Sequence, residues 1–452
     1  MRSVKLLVVV FAVAAVAAVW LPPAGYALQN PVDRVLFEGA RLITGDGSAP
    51  IADSAFLIES GTIARVGRRG DIPAAGAARV DLTGKTVIPA LIDPHNHIGY
   101  TNQKTGASSK DNFTRETVVD QLRRYAYYGV AAALSMGLDR WEVNPELPYQ
   151  LRTEVIPDAA RFLTVGRGIA ATPMAGPTAE YRLGVPYGAQ TEAEGRQRVQ
   201  ELSARNVPII KIWVDDRNGN VPKIPPAVYR AIIDEAHTRG LRVVAHIFNM
   251  ADGKDLLKAG VDGFAHGVRD RDVDDEYMAL IKQHPLVWVQ PNLPEQPLTN
   301  AEITWLAETL PASQIARMRR TLATRTAEEL KRLNDTFGIQ CRNLRRINDA
   351  GVRIAFATDG GVDIAWTTHT ELADMVKCGL TPAQAIVAAT KTAAEVVRLD
   401  RLGTVAAGKS ADFVVLDANP LDDITNTRRI SKVYLRGREL DRAAMRASLS
   451  TP

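Results

Sequence analysis

The sequence predicts an α/β fold: a (β/α)8 TIM barrel with a small β-sandwich domain formed from both ends of the chain. Three observations predict it. Eight short apolar runs, at 86–97, 130–136, 161–167, 207–214, 241–248, 262–268, 286–292 and 353–359, alternate with amphipathic stretches such as Thr114–Tyr128, Thr191–Asn206, Pro225–Arg239 and Asp274–His284. That alternation is the pattern of βα units around a parallel sheet, and eight units in roughly 300 residues fit one barrel. Second, short alternating runs near the start of the chain return near its end. Third, polar residues with metal chemistry stand at the ends of the apolar runs, where barrel enzymes keep their reacting groups.

Residues 1–27 read as a signal peptide. Arg2 and Lys5 supply a positive start, Leu6–Leu21 is apolar, Pro22-Pro23 breaks a helix, and Gly25-Tyr26-Ala27 offers small residues for cleavage. An uncleaved membrane anchor is the rival reading, but the run is shorter than the roughly 20 residues a bilayer needs. Cleavage implies a periplasmic or secreted protein with no stable membrane insertion. Residues 31–87 form the first part of the β-sandwich, with runs at Val35–Phe37, Arg41–Thr44, Ala55–Glu59 and Thr62–Val66. Turns at Gly45-Asp46-Gly47 and Ser60-Gly61 separate them. Residues 403–442 form the second part, through Gly403–Val405, Asp412–Asp417 and Val433–Arg436. The barrel occupies 88–402. Within it, 294–336 is longer than one connection needs and has helical spacing (Leu306, Leu310, Ile315, Met318, Leu322, Leu330), which predicts a helical insertion over the barrel mouth.

Composition narrows the classes. With 46% hydrophobic and 23% charged residues the 452-residue chain is ordinary globular protein. Its formal charge of +4 includes two basic residues of the leader, so no electrostatic footprint for nucleic acid remains. The two cysteines, Cys341 and Cys378, are too few for a disulfide framework and read as buried helix residues. Homo-oligomer formation is left open.

Val87–Tyr100, VIPALIDPHNHIGY, ends an apolar strand in His95 and His97. Side chains two apart on a strand share a face, so two of the seven histidines converge on one point. Two imidazoles are half of a transition-metal site; the alternative is a loop with two unrelated histidines. Four more residues bear on the choice. Lys211 interrupts the apolar fourth run, His246 ends the fifth, His266 ends the sixth and Asp359 ends the eighth. A buried lysine is costly unless paired or neutralised. Taken singly, Lys211 bridging to a core carboxylate and satisfied core histidines remain open. Six such residues at strand ends point to one site.

This pattern resembles the amidohydrolase superfamily of metal-dependent hydrolases, through the HxH motif, Lys211, His246, His266, Asp359, Gly379–Pro382 and the stretch Gly403–Leu416 (GTVAAGKSADFVVL). Within it the chain looks most like the imidazolonepropionase-like and Xaa-Pro dipeptidase-like branch. The resemblance implies metal ligation by His95, His97, Lys211, His246, His266 and Asp359. It also implies two zinc ions and carbon dioxide captured as a carbamate on Lys211, so that the modified side chain reaches both ions. Asp359 is then the catalytic residue, exchanging protons while a hydroxide between the metals attacks an amide-type C–N bond. The expected substrate is a small peptide or N-acyl amino acid. A cyclic amide, lactone or phosphotriester is the alternative, and a metal-binding scaffold without catalysis is the reading outside the enzymes.

The substrate pocket is less legible. Tyr181 and Arg182 lie in the loop after the third strand, Arg217 in the loop after Lys211, and Arg269 after the sixth strand. An arginine at the mouth suits a substrate carboxylate; the competing reading pairs it with Asp215, Asp216 or Asp270. His369 and Glu371 fall near the site by the resemblance, with helix-start capping the alternative. His237 and His284 read as surface residues.

Overall fold

A computed structural model describes residues 34–140, 144–293, 300–361 and 365–451. The proposed signal peptide lies outside the described residues. The parallel strands are β1 (Leu91–Asn96), β2 (Val130–Ser135), β3 (Arg161–Thr164), β4 (Ile209–Trp213), β5 (Arg242–His246), β6 (Gly263–Phe264), β7 (Trp288–Val289) and β8 (Arg353–Ile354). β1, β2 and β3 form one parallel sheet, and β4 to β8 run consecutively in a second, where Ile169–Ala170 and Tyr187–Gly188 add two short strands beside β4. Every residue of β1, β2 and β4 is buried, so their apolar residues run on without alternation, and polar ones among them, such as Asp93, His95, Asn96 and Lys211, are buried too. Beyond β8 the chain returns to β1: Asp359 N donates to His95 O (2.9 Å) and His97 N to Gly360 O (2.6 Å).

Helices separate the strands. α1 (Arg115–Tyr127) follows β1, and α2 (Glu192–Ala204), α3 (Pro226–Thr238), α4 (Met250–Lys258) and α5 (Asp275–Lys282) follow β3, β4, β5 and β6. Their starts are written locally. Thr114 accepts from Thr117 N (3.2 Å), and Thr191 with Glu194 forms a reciprocal capping box at α2.

After β7 come α6 (Asn300–Leu306), α7 (Ala312–Thr324) and α8 (Ala327–Asp349), then α9 (Thr367–Lys377) after β8. The expected insertion 294–336 begins outside the described residues and has no break at 336, because α8 is one 23-residue helix that also serves as the connection into β8. α7 rests on the loop that follows His97, with Arg317 Nη1 donating to Gly106 O (3.1 Å).

Cys341 of α8 and Cys378, the residue capping α9, are joined in a disulfide across a Cα–Cα distance of 4.5 Å. The sequence left open whether these two residues pair. A count of two excludes a framework but says nothing about a single bridge, which needs only that two helices cross at those positions.

Two small sheets stand beside the parallel strands. Thr62–Arg68, Ser54–Glu59, Arg34–Glu38 and Ala78–Asp81 form one; Arg438–Glu439, Ile430–Leu435, Phe413–Leu416, Thr86–Pro89 and Arg41–Leu42 form the other. They share one apolar core in which Phe37 stacks on Phe56 (5.0 Å) and meets Phe413 edge-on (5.2 Å). The apolar run 86–97 therefore divides. Thr86–Pro89 pairs with Phe413–Leu416, and the barrel strand starts only at Leu91.

Candidate metal centre

His95 is carried by β1 and His97 directly follows it, Lys211 lies within β4, His246 ends β5, and His266 and Asp359 lie just past β6 and β8. All six sit in one cluster. The His95 ring is 5.3 Å from those of His97 and His266, and His266 is 4.3 Å from His246. Asp359 Oδ1 lies 2.9 Å from His97 Nε2 and 3.3 Å from His95 Nε2, with Oδ2 3.9 Å from His266 Nε2. The Lys211 side chain is 1% exposed, 5.3 Å from the Trp213 ring, and its charge acts on His95, His97 and His246. Gly137, at φ +87°, leaves room for it: a Cβ there would meet Lys211 Cγ at 3.0 Å.

Asp359 occupies the left-handed region at φ 51°, unusual for a residue with a side chain. Hydrogen bonds on either side hold it. Thr358 Oγ1 donates to the buried Asp93 carboxylate (2.7 Å) and accepts from Gly360 N (3.0 Å). Asp93 also accepts from Tyr125 OH (2.8 Å) and from His95 N (3.3 Å), so one carboxylate ties both ends of the site together.

Burial disfavours charge on the imidazoles. It pushes His97 and His246 down to about 4 and His95 and His266 well below their ordinary range, so all four are neutral near pH 7. Burial likewise brings Lys211 down to about 7. For Asp359 burial acts upward, but the facing imidazoles outweigh it and hold the carboxyl ionised.

Three residues that the sequence reading did not place here touch the cluster from behind. Asp215 Oδ2 is 3.3 Å from His246 Nε2, leaving Nδ1 of that ring for a ligand. Gln290 Oε1 is 3.2 Å from His95 Nδ1, and Asn292 Nδ2 is 2.9 Å from His266 Nδ1. The signal for the last two was a pair of carboxamides, two apart, at the end of an apolar run.

The rim residues divide. Arg182 lies beside the cluster: its Nη2 is 3.5 Å from His97 O, it packs against Gly361, and its guanidinium is 5.3 Å from the Tyr181 ring. Arg269 donates to Ile247 O (3.0 Å) and its charge acts on His246 and His266. Arg217 instead ties loops, donating through Nη2 to Gly176 O. His369 is away from the site, its Nε2 2.9 Å from Tyr128 O and Nδ1 3.1 Å from Thr427 Oγ1. Glu371 accepts from Leu293 N (2.7 Å) rather than capping its helix. His237 pairs at the surface with Asp262 (2.8 Å).

The cluster fits a metal. One ligand atom from each of His95, His97 and Asp359 lies within 4.8 Å of the others. Among the described residues, His95 Nε2, His97 Nδ1 and Lys211 Nζ are buried without a hydrogen-bond partner, a costly condition that a cation or a chemical modification relieves. Neutral imidazole nitrogens with a carboxylate are the donor set of borderline divalent ions.

The chain is similar to known proteins along most of its length. The imidazolonepropionase of Deinococcus radiodurans is 25% identical over 408 residues, covering 86% of this chain and 92% of its own. The ochratoxinase of Aspergillus niger is 27% identical over 424 residues, 85% and 81% of the two chains. A solved Xaa-Pro dipeptidase with bound methionine in its active site superposes with a TM-score of 0.70 at 22% identity, over 90% of this chain and 99% of that one. Residues 86–440 match the Amidohydrolase family, a span that holds the six clustered residues and the strands that carry them. With that span and that cluster, the chain belongs to the amidohydrolase family and is a hydrolase of amide-type carbon–nitrogen bonds.

Proposed function

We propose that the chain cleaves an amide-type C–N bond in a small peptide or an N-acyl amino acid, using two zinc ions held by His95, His97, Lys211, His246, His266 and Asp359. The observation that carries the reading is the convergence of four neutral imidazoles, one ionised carboxylate and one buried amine without a partner. When bound, the ions supply Lewis acidity and lower the pKa of the attacking water. Lys211 joins them as a carbamate: its Nζ lone pair bonds to the carbon of carbon dioxide, one proton leaves, and the side chain becomes an anion. Its burial keeps the neutral, reactive amine available.

Asp359 takes the proton of the attacking water and returns it to the leaving nitrogen, which departs poorly as an anion. The strained backbone at Asp359 holds its carboxylate toward His95 and His97. Arg182 and Arg269, with Tyr181, orient the substrate from the rim; Arg217 supports the loop beneath them. Within this reading the parallel strands close into a (β/α)8 barrel and the two small sheets make its β-sandwich.

The disulfide supports a periplasmic or secreted location, since such bonds persist in oxidising compartments. A cyclic amide is the second reading, favoured by the match to an imidazolonepropionase along most of both chains.

A screen of dipeptides, N-acyl amino acids, hydantoins and lactones with zinc-replete protein tests the proposal. Turnover of the first two classes, lost on chelation and regained with zinc, is expected. Turnover of cyclic amides alone favours the second reading, and turnover indifferent to chelation contradicts both.

A further inference from the structure

β7 contributes no ligand to the cluster, yet it ends in two buried carboxamides, Gln290 (0% exposed) and Asn292 (4%). Burying an amide is costly unless its hydrogen bonds are replaced. Among the described residues they are replaced only in part. Gln290 Oε1 meets His95 Nδ1 at 3.2 Å while its Nε2 has no partner. Asn292 Nδ2 reaches Ala265 O (2.7 Å), His266 Nδ1 (2.9 Å) and His95 Nδ1 (3.4 Å) while its Oδ1 has none. Packing does not require such residues, and an apolar pair of equal size would satisfy it better.

The backbone at this point is also built rather than incidental. Asn292 stands in the left-handed region at φ 47°. Its carbonyl accepts from Gln340 Nε2 of α8 (3.0 Å), and the next N–H, of Leu293, donates to Glu371 of α9 (2.7 Å). Those two helices are tied by the disulfide between Cys341, the neighbour of Gln340, and Cys378. The chain of contacts runs from a covalent link between two helices, through β7, to the backs of two imidazoles.

We infer that Gln290 is a positioning residue of the metal site, which sets the ring orientation and the tautomer of His95. An acceptor at Nδ1 keeps the proton there and leaves the Nε2 lone pair facing Asp359 and the cluster. Imidazole ligands are oriented this way by partners behind them, and loss of such a partner weakens metal binding by about 10–100-fold. This inference rests on the metal-site reading above.

The test is zinc affinity, measured by competition with a chromophoric chelator, together with the melting temperature of the metal-free protein. Gln290→Leu removes the acceptor at nearly constant volume, and Gln290→Glu keeps it. Gln290→Leu is expected to weaken zinc by about 10–100-fold with little change in the metal-free melting temperature, and Gln290→Glu to bind at least as tightly as wild type. Wild-type affinity in Gln290→Leu overturns the inference, as does equal weakening in Gln290→Glu, which would mean that shape alone matters. A wild-type protein that binds no zinc overturns the underlying metal reading and this inference with it.

Discussion

At the scale of single residues, what matters is which groups are neutral, which are charged and what stands behind each. Among the described residues Asp359 is the carboxylate facing His95, His97 and His266, so Asp359→Asn, nearly the same shape, tests its proton transfer directly. Turnover is expected to fall by about 100-fold or more, the scale of general acid–base catalysis, with folding judged by circular dichroism unchanged. A variant near wild-type turnover contradicts the role. His369 gives a separate prediction, because it is buried away from the cluster and held neutral, with burial pushing it down to about 3. A group with a depressed folded pKa adds stability that is present above its unfolded value, about 6.5, and is lost as pH falls through the folded one. The stability of wild type relative to His369→Gln should therefore decline as pH drops from about 7 toward about 3, by up to a few kcal/mol. A difference independent of pH in denaturant titrations contradicts the neutral, buried histidine. The residue types of the cluster were legible in the sequence because histidine, lysine and aspartate are conspicuous inside apolar runs. Gln290, Asn292 and Asp215 were not, because amides and acids near loops have many ordinary reasons to be there.

At the scale of elements, the strands were legible and their partners less so. Fully buried parallel strands read as continuous apolar runs, and β2, β4 and β5 fall inside the runs that predicted them. The run 86–97 hid two strands of different sheets, since Ala90 between them carries no turn signal. Ile169–Ala170 and Tyr187–Gly188 are too short to leave a pattern. The pairing of Cys341 with Cys378 depends on where α8 and α9 cross, which periodicity does not report. That bond closes a 37-residue separation, for which chain entropy predicts roughly 3–4 kcal/mol. Replacing both cysteines by serine should lower the melting temperature, and a reducing agent should lower that of wild type but not of the double variant. Equal response of the two proteins to reductant contradicts a stabilising bridge.

At the scale of the whole molecule, two small sheets built from both ends of the chain share a core beside the barrel strands, so the termini of the described chain fold together. The barrel strands carry the six clustered residues from five different strands, an arrangement that needs the tertiary fold before any ligand set exists. The central claim is that this set holds two metal ions and that Lys211 is part of it. Metal content per chain, measured on gently purified wild type and on Lys211→Ala, tests it most directly. Close to two zinc equivalents in wild type is predicted, with a large loss in Lys211→Ala that acetate or propionate partly restores. Wild-type protein with no metal or one, and no gain on adding zinc, contradicts the claim, as does a Lys211→Ala protein that keeps both ions.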